Sequence, residues 1–225
     1  QIWAWHQSRV HAIRRDVDLM LVILPFEQAF YKQHGVVAQY VGHPLLDAVQ
    51  HIISEPASDV YPENTIALLP GSRTQEVRKI LPRMLSVIPH FRDYQFIVAG
   101  TNNLPVDFYE PFLSAYPNVK LLRGQTYSLL KNARAALVKS GTSTLEAALF
   151  DVPQVVCYAG NPLSYQIARR LVKVKYISLV NLVADKPLVR ELIQEELNEQ
   201  QLVIALNDIL DPEKSAVLKA EYAAL

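Results

Sequence analysis

Five apolar runs of strand length alternate with segments that have helical spacing, and this alternation constrains the fold more than any other feature of the chain. The runs cover residues 65–69, 95–99, 119–122, 135–138 and 154–158. Apolar runs of four or five residues predict buried strands, and helices between them predict βαβ units with right-handed crossovers. The sequence therefore predicts an α/β fold in which a Rossmann-like parallel sheet is flanked by helices.

Shorter patterns before and after this alternation predict further elements. The predicted helices cover residues 5–15, 25–34, 163–172, 187–197 and 199–210, and two predicted strands cover residues 18–24 and 38–41. Pro, Ser, Asp, Glu and Asn dominate residues 54–64, so this segment is interpreted as a surface connector. The Asp211-Pro212 step is expected to end the last helix, because proline breaks a helix interior. We therefore expect two parts, residues 1–54 and residues 55–225.

The charge and cysteine content argue against several classes of protein. The chain has 225 residues with 22 basic and 22 acidic side chains, so no summed field would attract it to nucleic acid. Cys157 lies in an apolar run and predicts a buried thiol in a reducing compartment, for which the cytoplasm is the default. No run approaches the twenty apolar residues of a membrane-spanning helix. The motifs of serine hydrolases, zinc enzymes and P-loop NTPases do not occur in the sequence.

A small-residue turn follows the first strand of the alternation, in the segment Pro70-Gly71-Ser72-Arg73-Thr74-Gln75. Glycine lets the backbone approach a ligand closely, and Ser72 with Gln75 three residues later has the pattern of a capping box. Arg73 would lie in the first helical turn, where a cation opposes the helix dipole. A bound phosphate would turn that repulsion into attraction, because a guanidinium fork matches phosphate oxygens. The alternative is an ordinary strand-to-helix turn with a solvated arginine.

A second turn follows the strand at 135–138, where Ser140, Gly141, Thr142 and Ser143 can offer backbone and hydroxyl donors to phosphate. Glu146 has two interpretations, either as the end of a capping box with Ser143 or as an acceptor for the hydroxyls of a ribose. Two such turns in one parallel sheet predict a diphosphate site. The role of Lys139, which precedes the second turn, is left open.

Two further features each allow a structural and a functional interpretation. Asn181 lies in an apolar run, so its amide either satisfies backbone groups or faces a cleft with a donor to offer. The helical pattern at residues 165–175 carries four basic side chains, which are either a solvated face or a contact with anionic lipid.

Several segments together match one known family. They are Ile2-Trp3-Ala4-Trp5 with Arg9-Val10, Leu24-Pro25-Phe26-Glu27 with Phe30-Tyr31, Gly42-His43-Pro44 with Asp47, Leu69-Pro70-Gly71-Ser72-Arg73 with Glu76, Ser140-Gly141-Thr142 with Leu145-Glu146, and Arg170-Leu171-Val172 through to Asn181-Leu182. In this order the chain resembles the lipid-A-disaccharide synthase family. The glycine turns are shared with many nucleotide-sugar enzymes, whereas the tryptophan pair, the Pro-Phe-Glu segment and the Asn-Leu segment are more specific.

The resemblance implies a fold and an activity. Family members have the two-domain glycosyltransferase B fold, in which residues 1–54 would end the N-terminal domain and connect it to a nucleotide-sugar-binding domain at 55–225, the C-terminal half. The implied enzyme is an inverting hexosyltransferase of lipid A and lipopolysaccharide biosynthesis. It moves 2,3-diacylglucosamine from UDP to 2,3-diacylglucosamine 1-phosphate (lipid X), and it releases the disaccharide and UDP.

The same resemblance implies partners and a location. The partners would be UDP-diacylglucosamine, lipid X and the N-terminal domain in cis, with no nucleic acid and with neither cofactor nor metal. The location would be cytoplasmic, with peripheral contact to the inner membrane.

The resemblance also assigns roles to residues of the two turns. Catalytic roles near the diphosphate or donor sugar fall to Arg73 and Asn181, and binding roles fall to Gly71, Ser72, Ser140, Gly141, Thr142, Ser143 and Glu146. The catalytic base is expected on the N-terminal half, most of which would precede Gln1, so we expect this chain alone to bind UDP weakly and to be inactive. Two alternatives stay open: a UDP-sugar epimerase of related fold and a non-catalytic UDP-sugar-binding module.

Overall fold

The computed structural model describes residues 2–5, 7–54, 61–161, 165 and 175–225. These residues fall into two compact units, one within residues 1–51 and 161–175 and the other within residues 52–160 and 176–225. Residues 55–60 of the predicted connector at 54–64 lie outside the described residues. The predicted helix at 163–172 and the basic stretch at 165–175 also lie outside them, apart from Tyr165 and Lys175. The predicted domain boundary after residue 54 stays a prediction.

The first unit consists of short helices and a pair of parallel strands. Its elements are α1 (Ile2–Trp5), a 3₁₀ turn (Gln7–Arg9), α2 (Val10–Asp16), β1 (Met20–Val22), α3 (Pro25–Gln33), β2 (Ala38–Tyr40) and most of α4 (Pro44–Ser54). Glu27 in the first turn of α3 accepts hydrogen bonds from the Leu24 backbone N–H and from the Trp3 indole N–H, each over 3.0 Å. The carboxylate thus satisfies a donor at the helix start and ties α1 to α3.

The second unit contains a six-stranded parallel sheet. Its strands are β3 (Thr65–Leu69), β4 (Gln95–Gly100), β5 (Lys120–Arg123), β6 (Ala135–Lys139), β7 (Gln154–Tyr158) and β8 (Arg190–Ile193), in the spatial order β5-β4-β3-β6-β7-β8. Its helices are α5 (Thr74–Leu85), α6 (Glu110–Leu113), α7 (Thr126–Asn132), α8 (Ser143–Leu149), α9 (Leu179–Ala184), α10 (Glu199–Leu210) and α11 (Pro212–Tyr222), and 3₁₀ turns lie at Ile88–His90, Val106–Phe108 and Gln194–Glu196. The predicted Rossmann-like parallel sheet is confirmed.

Both faces of this sheet are buried, which explains why its strands read as continuous apolar runs rather than as alternating ones. Along β3, Ile66 and Leu68 belong to a core that also contains residues of α5 and α10, while Ala67 and Leu69 belong to a second core on the opposite face. The second core contains residues of α7 and α8. Successive side chains of a strand point to opposite faces, so the central strands β3, β4 and β6 contribute buried residues to both cores.

The predicted helix at 187–197 is wrong, because this segment forms the strand β8 followed by a 3₁₀ turn at Gln194–Glu196. The strand pairs in parallel with β7, where Val156 lies opposite Glu191 and Cys157 lies opposite Leu192. Leu192 is buried against the sheet. The spacing of apolar residues in so short a segment fits both periods, and pairing with β7 decides in favour of the strand.

The Asp211-Pro212 step ends α10 as predicted, but a further helix that the sequence analysis missed begins there. Pro212 occupies the start of α11, where its missing N–H has no helical partner in any case. The Asp211 carboxylate accepts hydrogen bonds from the backbone N–H groups of Glu213, at 3.1 Å, and Lys214, at 3.0 Å. The same residue pair therefore stops one helix and caps the next. Among the helices of the described residues, none has the length and apolar character needed to cross a membrane.

The order of the strands creates a switch point between β3 and β6. From β3 the chain moves outward through β4 to β5, and from β6 it moves outward in the other direction through β7 to β8. The loops that leave the carboxyl ends of β3 and β6 therefore run apart and leave a crevice between them. Ligands of open parallel α/β sheets bind in such a crevice.

Candidate functional site

A cavity of about 860 Å³ lies at the carboxyl edge of the second unit's sheet. Residues from four successive strand ends line it, including Gly71 and Ser72 after β3, Asn102 after β4, Gln125 after β5, and Gly141 and Ser143 after β6. Six of the seven predicted binding residues line this cavity, namely Gly71, Ser72, Gly141, Thr142, Ser143 and Glu146. The two turns identified in the sequence therefore meet at the switch point.

The turn after β3 depends on glycine at position 71. Gly71 has a φ of +107°, and a methyl group there would lie 2.6 Å from Oε2 of Glu76. The backbone conformation is therefore strained for any residue other than glycine, and an added methyl group would also displace the Glu76 carboxylate. The predicted capping box of Ser72 with Gln75 is wrong, because α5 begins at Thr74 with Arg73 as its N-cap residue. Glu76, rather than Gln75, is therefore the third residue of the helix.

Glu76 is shared by two cations. Its Oε1 lies 3.0 Å from Nζ of Lys139 and 3.4 Å from Nη1 of Arg73. Burial by itself would raise the pKa of the Glu76 carboxyl, but the hydrogen bond and charge of Lys139, with help from the Arg73 backbone and charge, lower it below the ordinary value. The carboxylate is therefore ionised at neutral pH. Arg73 is 81% exposed and does not line the cavity, so it stands at its rim.

The turn after β6 uses its hydroxyl groups differently from the prediction. The Ser140 hydroxyl donates to the backbone oxygen of Ile177 over 2.8 Å, and Ser140 does not line the cavity. The predicted capping box of Ser143 with Glu146 is wrong, because Thr142 precedes the first turn of α8 and no side chain caps it. Thr142 and Ser143 face the cavity and stay candidates for phosphate binding.

Glu146 faces the cavity and pairs with a residue that the sequence analysis missed. Its Oε1 accepts a hydrogen bond from the Tyr127 hydroxyl over 3.1 Å. Burial, followed by the charge of the Glu146 carboxylate, raises the pKa of Tyr127 to about 12, so the phenol keeps its proton and donates. Of the two interpretations of Glu146, the capping box is excluded. The assignment to a ribose stays a prediction.

The contacts of Asn181 fit the first of its two interpretations, in which the side-chain amide satisfies backbone groups. Its side chain is buried, Nδ2 donates to the Val189 backbone oxygen over 2.8 Å, and Oδ1 accepts from the Val189 N–H over 2.8 Å. Nδ2 also donates to Oε1 of Glu191 over 3.0 Å. Asn181 does not line the cavity at the switch point. Its predicted catalytic role therefore stays a prediction without support from this geometry.

Sequence reasoning assigned no binding role to several polar residues of the cavity, including Glu76, Asn102, Gln125, Tyr127 and Lys139. All of them end or closely follow predicted strands, and the carboxyl ends of parallel strands share one edge of the sheet. Their positions after predicted strands were therefore enough to identify them as candidate site residues. Within the part of the chain that the structure describes, no cluster of three or more His, Cys, Asp or Glu residues is arranged to hold a metal ion.

The strand order and the crevice at its switch point define the chain as a Rossmann-like α/β protein. Comparison with known families is more specific: the family model of lipid-A-disaccharide synthetase matches residues 1–223. The chain belongs to this family.

Curated relatives agree with the family match. Lipid-A-disaccharide synthase of Anaeromyxobacter sp. (strain K) is 40% identical over 238 residues, a match that covers 100% of this chain and 61% of the relative. The enzyme of Syntrophus aciditrophicus is 40% identical over 240 residues, which covers 100% of this chain and 62% of the relative. This chain thus spans about three fifths of the length of these relatives.

Solved structures share the fold at low sequence identity. MnaA of S. aureus, solved with UDP, has a TM-score of 0.59 at 14% identity and covers 91% of this chain and 54% of its own. UDP-GlcNAc 2-epimerase of Methanocaldococcus jannaschii has a TM-score of 0.55 at 14% identity, with 87% and 56% covered. TarM has a TM-score of 0.57 at 12% identity, with 97% and 42% covered. At these identities the likeness concerns the fold alone.

Proposed function

We propose that this chain is the UDP-sugar-binding part of a lipid-A-disaccharide synthase. In the proposed reaction, 2,3-diacylglucosamine moves from UDP to lipid X with inversion at the anomeric carbon, and UDP leaves. The observation that carries the proposal is the family match over residues 1–223, together with the cavity that the two predicted turns line. The whole enzyme, including the catalytic base, requires the part of the relatives that this chain does not span.

The chemistry of the transfer assigns a task to the cavity. As the bond between the sugar and the diphosphate breaks, positive charge develops at the anomeric carbon and negative charge develops on the departing diphosphate. Donors aimed at those oxygens lower the barrier, and loss of one costs about 3 kcal/mol where water is excluded. The backbone N–H groups of Ser72, Thr142 and Ser143 are the proposed donors, and Arg73 at the rim is the proposed cation for the outer phosphate.

The ribose is the proposed ligand of Glu146. An ionised carboxylate can accept hydrogen bonds from both ribose hydroxyls, which gives specificity for a nucleotide over other diphosphates. The Tyr127 hydroxyl occupies one acceptor site of Oε1 at 3.1 Å and leaves the remaining lone pairs of the carboxylate to a ligand. This arrangement supports the nucleotide half of the proposed donor substrate.

Two rival functions would use a site of the same kind. A UDP-sugar epimerase would have the same fold, but the epimerase of Methanocaldococcus jannaschii is only 14% identical to this chain, whereas the two lipid-A-disaccharide synthases are 40% identical. The comparison therefore does not favour an epimerase. A non-catalytic UDP-sugar-binding module would need no Arg73, so Arg73→Ala in the full-length protein would leave disaccharide synthesis intact.

The test is product analysis of the full-length protein by mass spectrometry. Incubation with UDP-diacylglucosamine and lipid X should give the disaccharide and UDP, and omission of lipid X should abolish turnover. Conversion of the UDP-sugar without lipid X would instead indicate an epimerase. A cytoplasmic location with peripheral contact to the inner membrane belongs to the proposal, and sedimentation of the full-length protein with lipid vesicles tests it.

A further inference from the structure

Lys139 lines the cavity together with residues of both turns. It is the last residue of β6, and its side chain is only 21% exposed. Nζ lies 3.0 Å from Oε1 of Glu76, which follows the first turn. A methyl group at Gly141 in the second turn would lie 3.8 Å from the same Nζ. The ammonium group is thus close to both turns.

Glu76 and Lys139 together occupy the space beside the two glycines. The Glu76 carboxylate is 2.6 Å from the position that a methyl group at Gly71 would take, and Nζ of Lys139 lies 3.8 Å from the equivalent position at Gly141. The ion pair therefore lies beside both turns and lines the same cavity as the backbone that the proposed function assigns to the diphosphate. A diphosphate that reaches that backbone has to meet this pair.

We infer that Lys139 is a phosphate-binding residue and that it exchanges the Glu76 carboxylate for the diphosphate when a nucleoside diphosphate binds. This inference rests on the proposed function, because the site is assumed to take a UDP-sugar. It gives Lys139 a role that the two turns and Arg73 do not supply, which is a cation inside the cavity rather than at its rim.

The charges of the cavity favour the exchange. A diphosphate carries more negative charge than a single carboxylate and offers more acceptor oxygens to a lysine ammonium, whose three donors rotate freely. After the exchange Glu76 keeps a partner, because Arg73 Nη1 already lies 3.4 Å from its Oε1. Both carboxylate partners are therefore in place before a ligand arrives, and the exchange leaves no buried charge unpaired.

The exchange predicts opposite effects for the two members of the pair. Removal of the Lys139 charge should weaken UDP binding, because a charge-assisted hydrogen bond is lost. Removal of the Glu76 charge should strengthen UDP binding, because the ligand no longer competes with a carboxylate for Lys139 and is no longer repelled by it. A purely structural ion pair would instead give the same sign for both changes.

The experiment is calorimetric titration of the full-length protein with UDP and with uridine, which lacks the diphosphate. We expect Lys139→Met to weaken UDP binding about tenfold or more and to leave uridine binding unchanged. Lys139→Arg should recover part of the loss. Glu76→Gln should strengthen UDP binding by about threefold to tenfold. Lys219→Met, which removes the charge of an exposed lysine on α11, is the matched control and should change neither affinity.

Each other result counts against a named proposal. Unchanged UDP binding in Lys139→Met, or an equal loss of UDP and uridine binding, would overturn the role of Lys139. Weaker UDP binding in Glu76→Gln would overturn the exchange. If the unmodified protein bound neither UDP nor UDP-diacylglucosamine, the proposed function itself would fail. Uridine binding by each variant also reports that the variant is folded.

Discussion

The Tyr127 hydroxyl holds the Glu146 carboxylate at the carboxyl edge of the sheet, with the two oxygens 3.1 Å apart. Tyr127 comes from the start of α7 and Glu146 from α8, so the hydrogen bond connects the cavity lining that follows β5 to the lining that follows β6. The ring of Tyr127 also packs against Phe150 at 5.5 Å between centroids. This aromatic contact would remain if the hydroxyl were removed.

Tyr127→Phe should therefore weaken UDP binding through Glu146 alone. We expect a loss of about threefold to tenfold, because one hydrogen bond to the carboxylate is lost while the ring still packs. Binding of 2′-deoxy-UDP should fall less, since that ligand makes fewer contacts with Glu146. Calorimetric titration with both nucleotides checks the prediction, and Tyr94→Phe, outside the cavity lining, is the control. Equal losses of affinity for the two nucleotides would show that Tyr127 does not contribute to recognition of the ribose.

Gly71→Ala should destabilise the fold. The residue has a φ of +107°, which strains the backbone of any other residue, and the added methyl group would lie 2.6 Å from Glu76 Oε2, so the carboxylate has to move. We expect a loss of about 1–3 kcal/mol in the free energy of unfolding, measured in urea. Gly141→Ala is the matched control, because the methyl group there would meet Nζ of Lys139 at an ordinary 3.8 Å. A stable Gly71→Ala variant would show that the loop adapts freely.

Asn181→Ala should lower the stability of the fold more than it lowers catalytic activity. The variant leaves the Val189 N–H and oxygen without their side-chain partners in a buried position. We expect a decrease of roughly 1–3 kcal/mol in the free energy of unfolding. Urea unfolding and a disaccharide assay on the full-length protein should be measured together. Unchanged stability with lost activity would favour the catalytic role that the family resemblance implies.

The stability contributed by the Glu76 and Lys139 pair should depend on pH. The pKa of the Glu76 carboxyl is lowered in the folded state, so the unfolded chain takes up the proton first as the pH falls. The contribution is complete above the ordinary glutamate value of about 4.3 and is lost as the pH falls through the lower folded value. Urea unfolding of the unmodified protein and of Glu76→Gln from pH 7 to pH 3 should show a difference that shrinks on acidification. A difference that is constant across this range would contradict the assignment.

The sheet was predictable from the sequence because its strands are buried on both faces. Each of the five apolar runs became a strand, within a residue or two of the predicted bounds, and the turns after residues 69 and 139 met as expected. β8 was not predictable in the same way. Its four residues carry Arg190 and Glu191 beside Leu192, and only pairing with β7 distinguishes such a segment from a helix.

The details of the site were less predictable than its position. Both predicted capping boxes failed because the start of α5 and the N-cap position of α8 differ by one residue from the predicted ones, and a cap depends on a single residue. Two important partners come from other strand ends, since Lys139, which pairs with Glu76, ends β6 and Tyr127, which pairs with Glu146, follows β5. Sequence spacing carries no information about contacts between residues so far apart along the chain.

The edge strands of the described six-stranded sheet are β5 and β8, and both are four residues long. Lys120 and Arg123 lie on one edge, and Arg190 lies on the other. An additional strand that paired there would have to strip water from these charges, which disfavours edge-to-edge association. Both ends of the sheet are thus short and charged rather than long and apolar, which disfavours its growth by addition of further strands.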